Sequence, residues 1–191
     1  MSGSQSADVT PSVLAVDDDR DLADTYALWL DDEFDVETTY GGDEALERID
    51  DDVDVVLLDR RMPGMSGGDV LDAIRERDLG CRVAMLTAVE PSDDIVDMPF
   101  DAYVTKPVTK DDLVDVVEDL YTRLELDDTL QEYYSVTSKI AALEADLSPE
   151  AQTTSDALSV LRDRAAGLEA VATDEMDELD DPEHAFRETD F

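Results

Sequence analysis

The residues of this chain whose types and setting suit chemistry are Asp17, Asp18, Asp59, Thr87 and Lys106. Each lies at or just past the end of a short strand candidate: Val13 to Val16, Val55 to Leu58, Val83 to Thr87, and Ala102 to Thr105. A carboxylate at such a point can act as a nucleophile toward a phosphoryl group and give an aspartyl-phosphate. That reaction calls for a divalent cation held by carboxylate and carbonyl oxygens. Asp17 and Asp18 can supply such oxygens, together with the second oxygen of Asp59 and a backbone carbonyl from the turn that follows. A cation and a hydroxyl must also be aimed at the phosphoryl oxygens, and Lys106 and Thr87 are those types. Lys106 stands out further because the chain has only three lysines, Lys106, Lys110 and Lys139.

Positioning these groups requires elements that end together. Val55 to Leu58 is too short for a helix, follows acidic residues and precedes the Pro63-Gly64 turn, as expected of a strand covered on both faces. Leu22, Tyr26, Trp29 and Leu30 share one helical face. Phe34 and Val36 alternate with acids as in a half-buried strand. Ala45, Leu46 and Ile49 mark a short helix after Gly41-Gly42, and Val70, Leu71 and Ile74 another that stops near Leu79-Gly80. This alternation predicts an α/β fold: a flavodoxin-like, doubly wound, five-stranded parallel sheet, with ligands bound beyond the carboxyl ends of its strands. The stretch between Thr87 and Lys106 contains Pro91 and Pro99, so its helix is expected to be short or irregular.

The motifs VLAVDDD, VVLLDRRMPGMSG, AMLTA and AYVTKP, in this order and spacing, resemble the receiver domain of two-component response regulators over residues 12–124. The resemblance implies that Asp59 is the phosphoacceptor. It further implies that Asp17, Asp18, Asp59 and the backbone carbonyl of Arg61 bind Mg2+, that Lys106 bridges to the phosphate, and that Thr87 and Tyr103 move together on phosphorylation. A histidine kinase is the implied donor. Receivers often have a cis peptide before the proline; here the sequence leaves the isomer of Lys106-Pro107 open.

Thr109 is a plausible N-cap, and no Gly or Pro occurs from there to Ser148. Leu113, Val116, Val117, Leu120 and Leu124 form the face that packs on the sheet. Leu126, Thr129, Tyr133, Val136, Ile140, Leu143 and Leu147 then follow heptad spacing, either in one continued helix or after a break near Asp127-Asp128. A second stripe, Leu158, Leu161, Ala165, Leu168 and Ala172, follows Ser148-Pro149 and a polar loop. The two predict an α-helical hairpin or coiled coil, with homodimerisation through these helices as one way to bury what remains. The stretch LQEYYSVTSKIAALEADLS resembles the HalX domain that accompanies receivers in halophilic archaea, giving a helical domain over 125–173. Residues 1–11 and the acidic tail 174–191 are expected to be disordered.

The formal net charge is -38, and Asp greatly outnumbers Glu. Such a surface resembles that of proteins from salt-loving organisms, where concentrated salt screens self-repulsion. From Arg123 onward five basic residues face nineteen acids, a net charge of -14, the reverse of a footprint for nucleic-acid phosphates. One cysteine, Cys81, excludes an internal disulfide and fits a reducing interior. With no signal-like or membrane-length apolar run, a cytoplasmic location is expected. His184, alone in the acidic tail, is not read as a metal ligand.

The leading expectation is a signalling receiver, not an enzyme in the usual sense, that passes its state to the helical tail in transcriptional regulation. A direct DNA-binding regulator and a constitutive partner-binding adaptor are the alternatives. A haloacid-dehalogenase-type phosphatase ranks last: it calls for an aspartate two residues after the nucleophile, where Arg61 stands.

Overall fold

The computed structural model describes residues 10–88, 93–124 and 128–179, with side chains to residue 171. It comprises two compact units. One holds the chain to residue 90 together with 98–125; the other holds 91–97 and everything from 126.

The first unit contains β1 (Ser12–Val16), α1 (Arg20–Leu30), β2 (Asp35–Thr39), α2 (Gly42–Arg48), β3 (Val55–Leu58), α3 (Gly67–Glu76), β4 (Arg82–Thr87), β5 (Ala102–Thr105) and α4 (Lys110–Thr122). The strands lie in the order β2-β1-β3-β4-β5, every neighbouring pair parallel. This is the expected doubly wound sheet. Its order reverses between β1 and β3, the switch point at which such sheets open a crevice beyond their strand ends.

Burial explains why the central strands lack a polar face. Every residue of β3 and β4 is buried. Val55, Leu57, Ala84 and Leu86 join Tyr26 and Leu30 of α1 and Leu113, Val117 and Leu120 of α4 in one core. Alternation turns Val56, Leu58, Val83 and Met85 to the opposite face, where α2 and α3 pack together.

Caps fix where helices start. Asp19, the third of the adjacent aspartates, accepts from the N–H groups of Asp21 and Leu22 and so opens α1. Thr109 and Asp112 form a reciprocal capping box at α4, as Ser66 and Asp69 do at α3. The hydrogen bonds from Thr109 and Ser66 hold the Asp112 and Asp69 carboxyls below the usual range. Helix α3 stops at Glu76, sooner than its apolar spacing suggests, with Asp78 in the left-handed region at φ 56°.

Between β4 and β5 the expected fourth helix is a single 3-10 turn, Asp93–Ile95; residues 89–92 lie outside the described residues. At the far end, α4 closes at Thr122 and a separate helix begins at Asp128, so the chain breaks rather than running on.

The second unit carries α5 (Asp128–Asp146), α6 (Pro149–Thr154) and α7 (Asp156–Leu179). Helices α5 and α7 pack along each other around buried Val136, Leu143, Leu158 and Leu161, which realises the expected hairpin. Ion pairs Arg162–Glu144 at 2.6 Å and Arg164–Glu132 at 2.5 Å run in the antiparallel sense. The link between the stripes is not a plain loop. Ser148 caps α6 with Pro149 in its first turn, and Gln152 Nε2 donates to the Glu144 and Leu147 carbonyls at 2.7 and 3.1 Å, satisfying acceptors that α5 leaves open. Helix α7 runs to Leu179, past the Asp174 at which the sequence reading places the tail. Residues 1–9, His184 and the rest of 180–191 lie outside the described residues. Among the described residues no helix is long and apolar enough to cross a membrane.

Candidate functional site

The parallel ladder continues one residue beyond several strands, and this sets the site. Asp17 N–H donates to the Thr39 carbonyl at 3.2 Å, Asp59 N–H to the Val16 carbonyl at 2.9 Å, and Lys106 N–H to the Thr87 carbonyl at 2.9 Å. Three chemically active side chains therefore leave backbone that is fixed by a neighbouring strand.

They meet. Lys106 Nζ donates to Asp17 Oδ2 at 2.5 Å and to Asp59 Oδ1 at 2.8 Å. Both carboxylates are buried, Asp17 at 4% and Asp59 at 7% exposure, so their mutual repulsion is poorly screened and the ammonium between them offsets it. Asp59 Oδ2 accepts from the Arg61 N–H at 2.8 Å, and Asp17 Oδ1 from the Asp19 N–H at 2.9 Å. Burial pushes the Asp59 carboxyl above the usual range, against the opposing effects of Lys106 and the Arg61 N–H. For Lys106, burial acts to lower the pKa. The hydrogen bonds and charges of Asp17 and Asp59 outweigh it and hold the ammonium above its ordinary value.

Thr87 is buried at the end of β4, paired in register with Thr105 and one strand from Asp59. Tyr103 lies further back on β5, opposite Met85. Its hydroxyl accepts from Arg60 Nη1 at 3.4 Å and its ring tilts against Phe100 at 5.5 Å. Asp18 is exposed. The peptide between Lys106 and Pro107 is cis.

The available donors are all oxygens, which suits a hard divalent cation such as Mg2+. Asp17 and Asp59 already converge on one cationic group, the ammonium. Among the described residues no three acidic, histidine or cysteine side chains stand together as a ready metal site; the carboxylate next in sequence to the buried pair is the exposed Asp18.

Three contributors escape a reading of the sequence for chemistry. A Cβ on Gly67 would lie 2.2 Å from the Asp59 carbonyl oxygen and 2.9 Å from the Arg60 Cα. Gly67 N–H donates to the Arg60 carbonyl at 3.0 Å. The start of α3 thus presses on the loop that carries Asp59, and only glycine allows it. Tyr26 reads as core, and burial does push its phenol pKa up, yet the charges of Lys106, Asp17 and Asp59 also act on it. Arg60 had no assigned task, but it holds Tyr103. For Gly67, the turn signal at Pro63-Gly64 just before a helix was the available clue.

The response regulator receiver domain pattern matches residues 13–118, more than half of the chain, and the HalX domain pattern matches 122–190. The chain belongs to the response regulator family. This response regulator is 57% identical over 160 residues to a Haloferax volcanii protein named "Putative transcriptional regulator", a match covering 83% of this chain. It spans only 27% of that relative's length. Among solved structures it is similar to a CheY-like receiver domain protein of Methanospirillum hungatei, with a TM-score of 0.57 at 27% identity, covering 61% of this chain and 98% of that one. It is also similar to the response regulator TrrA of Thermotoga maritima, solved in complex with Mg2+-BeF, with a TM-score of 0.52 at 30% identity, covering 58% and 99%. Response regulators are signalling proteins, and the site described above lies within the receiver match.

Proposed function

We propose that Asp59 accepts a phosphoryl group from the phosphohistidine of a histidine kinase, in a Mg2+-dependent reaction, and that the HalX helices carry the result onward in transcriptional regulation. The observation that supports this most directly is the Lys106 ammonium held between the buried Asp17 and Asp59 carboxylates at the ends of β5, β1 and β3.

In the transfer, an Asp59 carboxylate oxygen attacks phosphorus as the bond from phosphorus to the kinase imidazole nitrogen breaks, and the imidazole leaves with the bonding pair and takes up a proton. Lys106 swings from Asp59 to a phosphoryl oxygen, which places its charge where the transfer delivers negative charge. Asp17, Asp18 and the Arg61 carbonyl, with Asp59 itself, would hold the cation, which would offset charge on the phosphoryl oxygens. A buried carboxyl with a raised pKa is a more basic, hence stronger, nucleophile once ionised. Thr87, on the adjacent strand end, offers its hydroxyl to the phosphoryl group, and Tyr103 follows the change along β5.

Transcription is the proposed readout because of the name of the Haloferax relative. A partner protein or a homodimer carries it, rather than direct phosphate contact, because the C-terminal residues from Arg123 bear a net charge of -14.

The test is label uptake from a small phosphodonor such as phosphoramidate, in multimolar KCl. Uptake approaching one phosphoryl per chain, dependent on Mg2+ and lost in Asp59→Asn, is expected. Undiminished uptake by Asp59→Asn, or none by the wild type, removes the proposal.

A further inference from the structure

Lys139 is the most deeply buried of the chain's three lysines, and the site above does not use it. It sits on α5 at 4% exposure. Val136 and Leu143, one turn to either side on the same face, are buried too. An ammonium in such surroundings is costly, and a methionine would fill the same space without that cost. Among the interactions that hold the ammonium, Lys139 Nζ donates to the Val96 carbonyl at 3.0 Å. Val96 directly follows the 3-10 turn of the β4–β5 connection, and the preceding Ile95 is fully buried. Although flanked in sequence by strands of the sheet, residues 91–97 belong to the compact unit of the C-terminal helices.

We propose that the docking partner of the β4–β5 connection is this chain's own helix α5, and that Lys139 is the positioning residue that clamps the two so that the HalX helices register the state of Asp59. The clamped stretch is bracketed in sequence by Thr87 and Tyr103, the two residues assigned above to respond to the phosphoryl group. Backbone movement at either is passed along the chain into a segment whose carbonyl α5 holds. A charged donor on a backbone acceptor suits this task, because the bond does not depend on which side chain the connection carries.

The inference rests on the phosphoacceptor reading, so its test separates the two. Amide hydrogen exchange of the full chain is followed with and without Mg2+ and beryllofluoride in high salt, alongside label uptake, for wild type, Lys139→Met and Lys139→Gln. In the wild type, exchange at 93–97 and at 131–147 should change together, at one beryllofluoride concentration, by about fivefold or more, the low end of ordinary coupling. In Lys139→Met the response at 55–61 and the label uptake persist, while the change at 131–147 falls to less than about half on the same scale. Lys139→Gln, which keeps a donor without the charge, should fall between. Unchanged coupling in both variants overturns the proposal. So do separate midpoints for 93–97 and 131–147 in the wild type, a readout that needs no variant to fold. Absence of any response at 55–61 together with no label uptake instead overturns the phosphoacceptor reading.

Discussion

Replacing Lys106 by methionine keeps the volume of the side chain and removes one charge from between two buried carboxylates. In the wild type that ammonium sits 2.5 Å from Asp17 Oδ2 and 2.8 Å from Asp59 Oδ1, with side-chain exposures of 14% for Lys106, 6% for Asp17 and 10% for Asp59. Loss of one partner of a buried ion pair costs about 3–5 kcal/mol, because the remaining charge is left uncompensated. Two effects bring the figure toward the lower bound: the lysine is not fully dry, and one carboxyl can take up a proton. We therefore expect Lys106→Met to lose about 3 kcal/mol, read as a shift of about 1–2 M in the urea midpoint for a receiver-sized unit. Salt separates this from a surface effect. The pair Lys110–Asp32, at 3.2 Å with 41% and 76% exposure, should contribute nothing measurable in multimolar KCl. The loss at Lys106 should persist there, since buried pairs are little screened. Asp17→Asn removes the repulsion that Lys106 offsets, so adding it to Lys106→Met should restore more than about 1 kcal/mol relative to additivity. A single-variant loss under about 1 kcal/mol, or an additive double variant, would refute the reasoning.

Four further outcomes can be checked. Gly67→Ala forces a methyl to 2.2 Å from the Asp59 carbonyl oxygen and should cost about 2 kcal/mol or more in denaturant titration, with slowed label uptake. Asp101 accepts from Arg75 Nη2 at 2.7 Å and from the Val83 N–H at 2.7 Å, and pairs with Arg82 at 3.5 Å; Asp101→Ala should cost about 3 kcal/mol in the same titration, even in high salt. Arg61→Asn keeps the backbone N–H that Asp59 accepts from but removes a guanidinium two residues along the chain, and should change the lifetime of the phosphorylated form in a timed decay assay; equal lifetimes discard that expectation. The folded-state pKa of Asp59 is raised, so the folded protein holds this proton more tightly than the unfolded chain, and the carboxyl's contribution to stability falls as pH rises above about 3.9 through the folded value. Asp59→Asn should therefore be more stable than the wild type at pH 7 while taking up no label, and an equal or lower melting temperature there counts against the buried-acid argument.

The strands were legible because a parallel sheet covered on both faces demands continuous apolar runs, and β3 and β5 fall on Val55–Leu58 and Ala102–Thr105 as the sequence indicates. The convergence of Asp17, Asp59 and Lys106 was legible for the same reason: once the strands are parallel, the residues just past them share one end of the sheet. What stayed hidden depends on distances between segments remote in sequence. The spacing of Ser148-Pro149 signals a helix end equally well whether a loop or the short helix α6 follows. Nothing local in RRMPGMSG states that α3 begins within contact of the Asp59 carbonyl. The adjacent aspartates look alike in sequence, yet Asp17 is buried, Asp18 exposed and Asp19 a helix cap; only their order relative to the end of β1 and the start of α1 tells them apart.

Scarcity of positive charge is a signal in its own right in this protein. A chain with 52 acidic residues against 14 lysines and arginines attracts cations everywhere on its surface, and dissolved salt supplies them without any side chain. A surface lysine therefore adds little, as the wide exposure of the Lys110–Asp32 pair illustrates. Salt cannot enter the interior, so a positive charge needed there must be covalently attached. Lysine scarcity singles out Lys106, and the buried setting of Lys139 on α5 marks a second such charge, although α5's apolar spacing alone passes over it. The arginines follow the same logic. Arg75 and Arg82 flank Asp101 beside the starts of β4 and β5, and Arg82 Nη2 reaches the Arg123 carbonyl at the close of α4 at 3.2 Å. In a strongly acidic chain, then, the cationic side chains that burial protects from salt are the ones whose charge has a specific partner to hold, and each is a place to look for function before the acids that outnumber them.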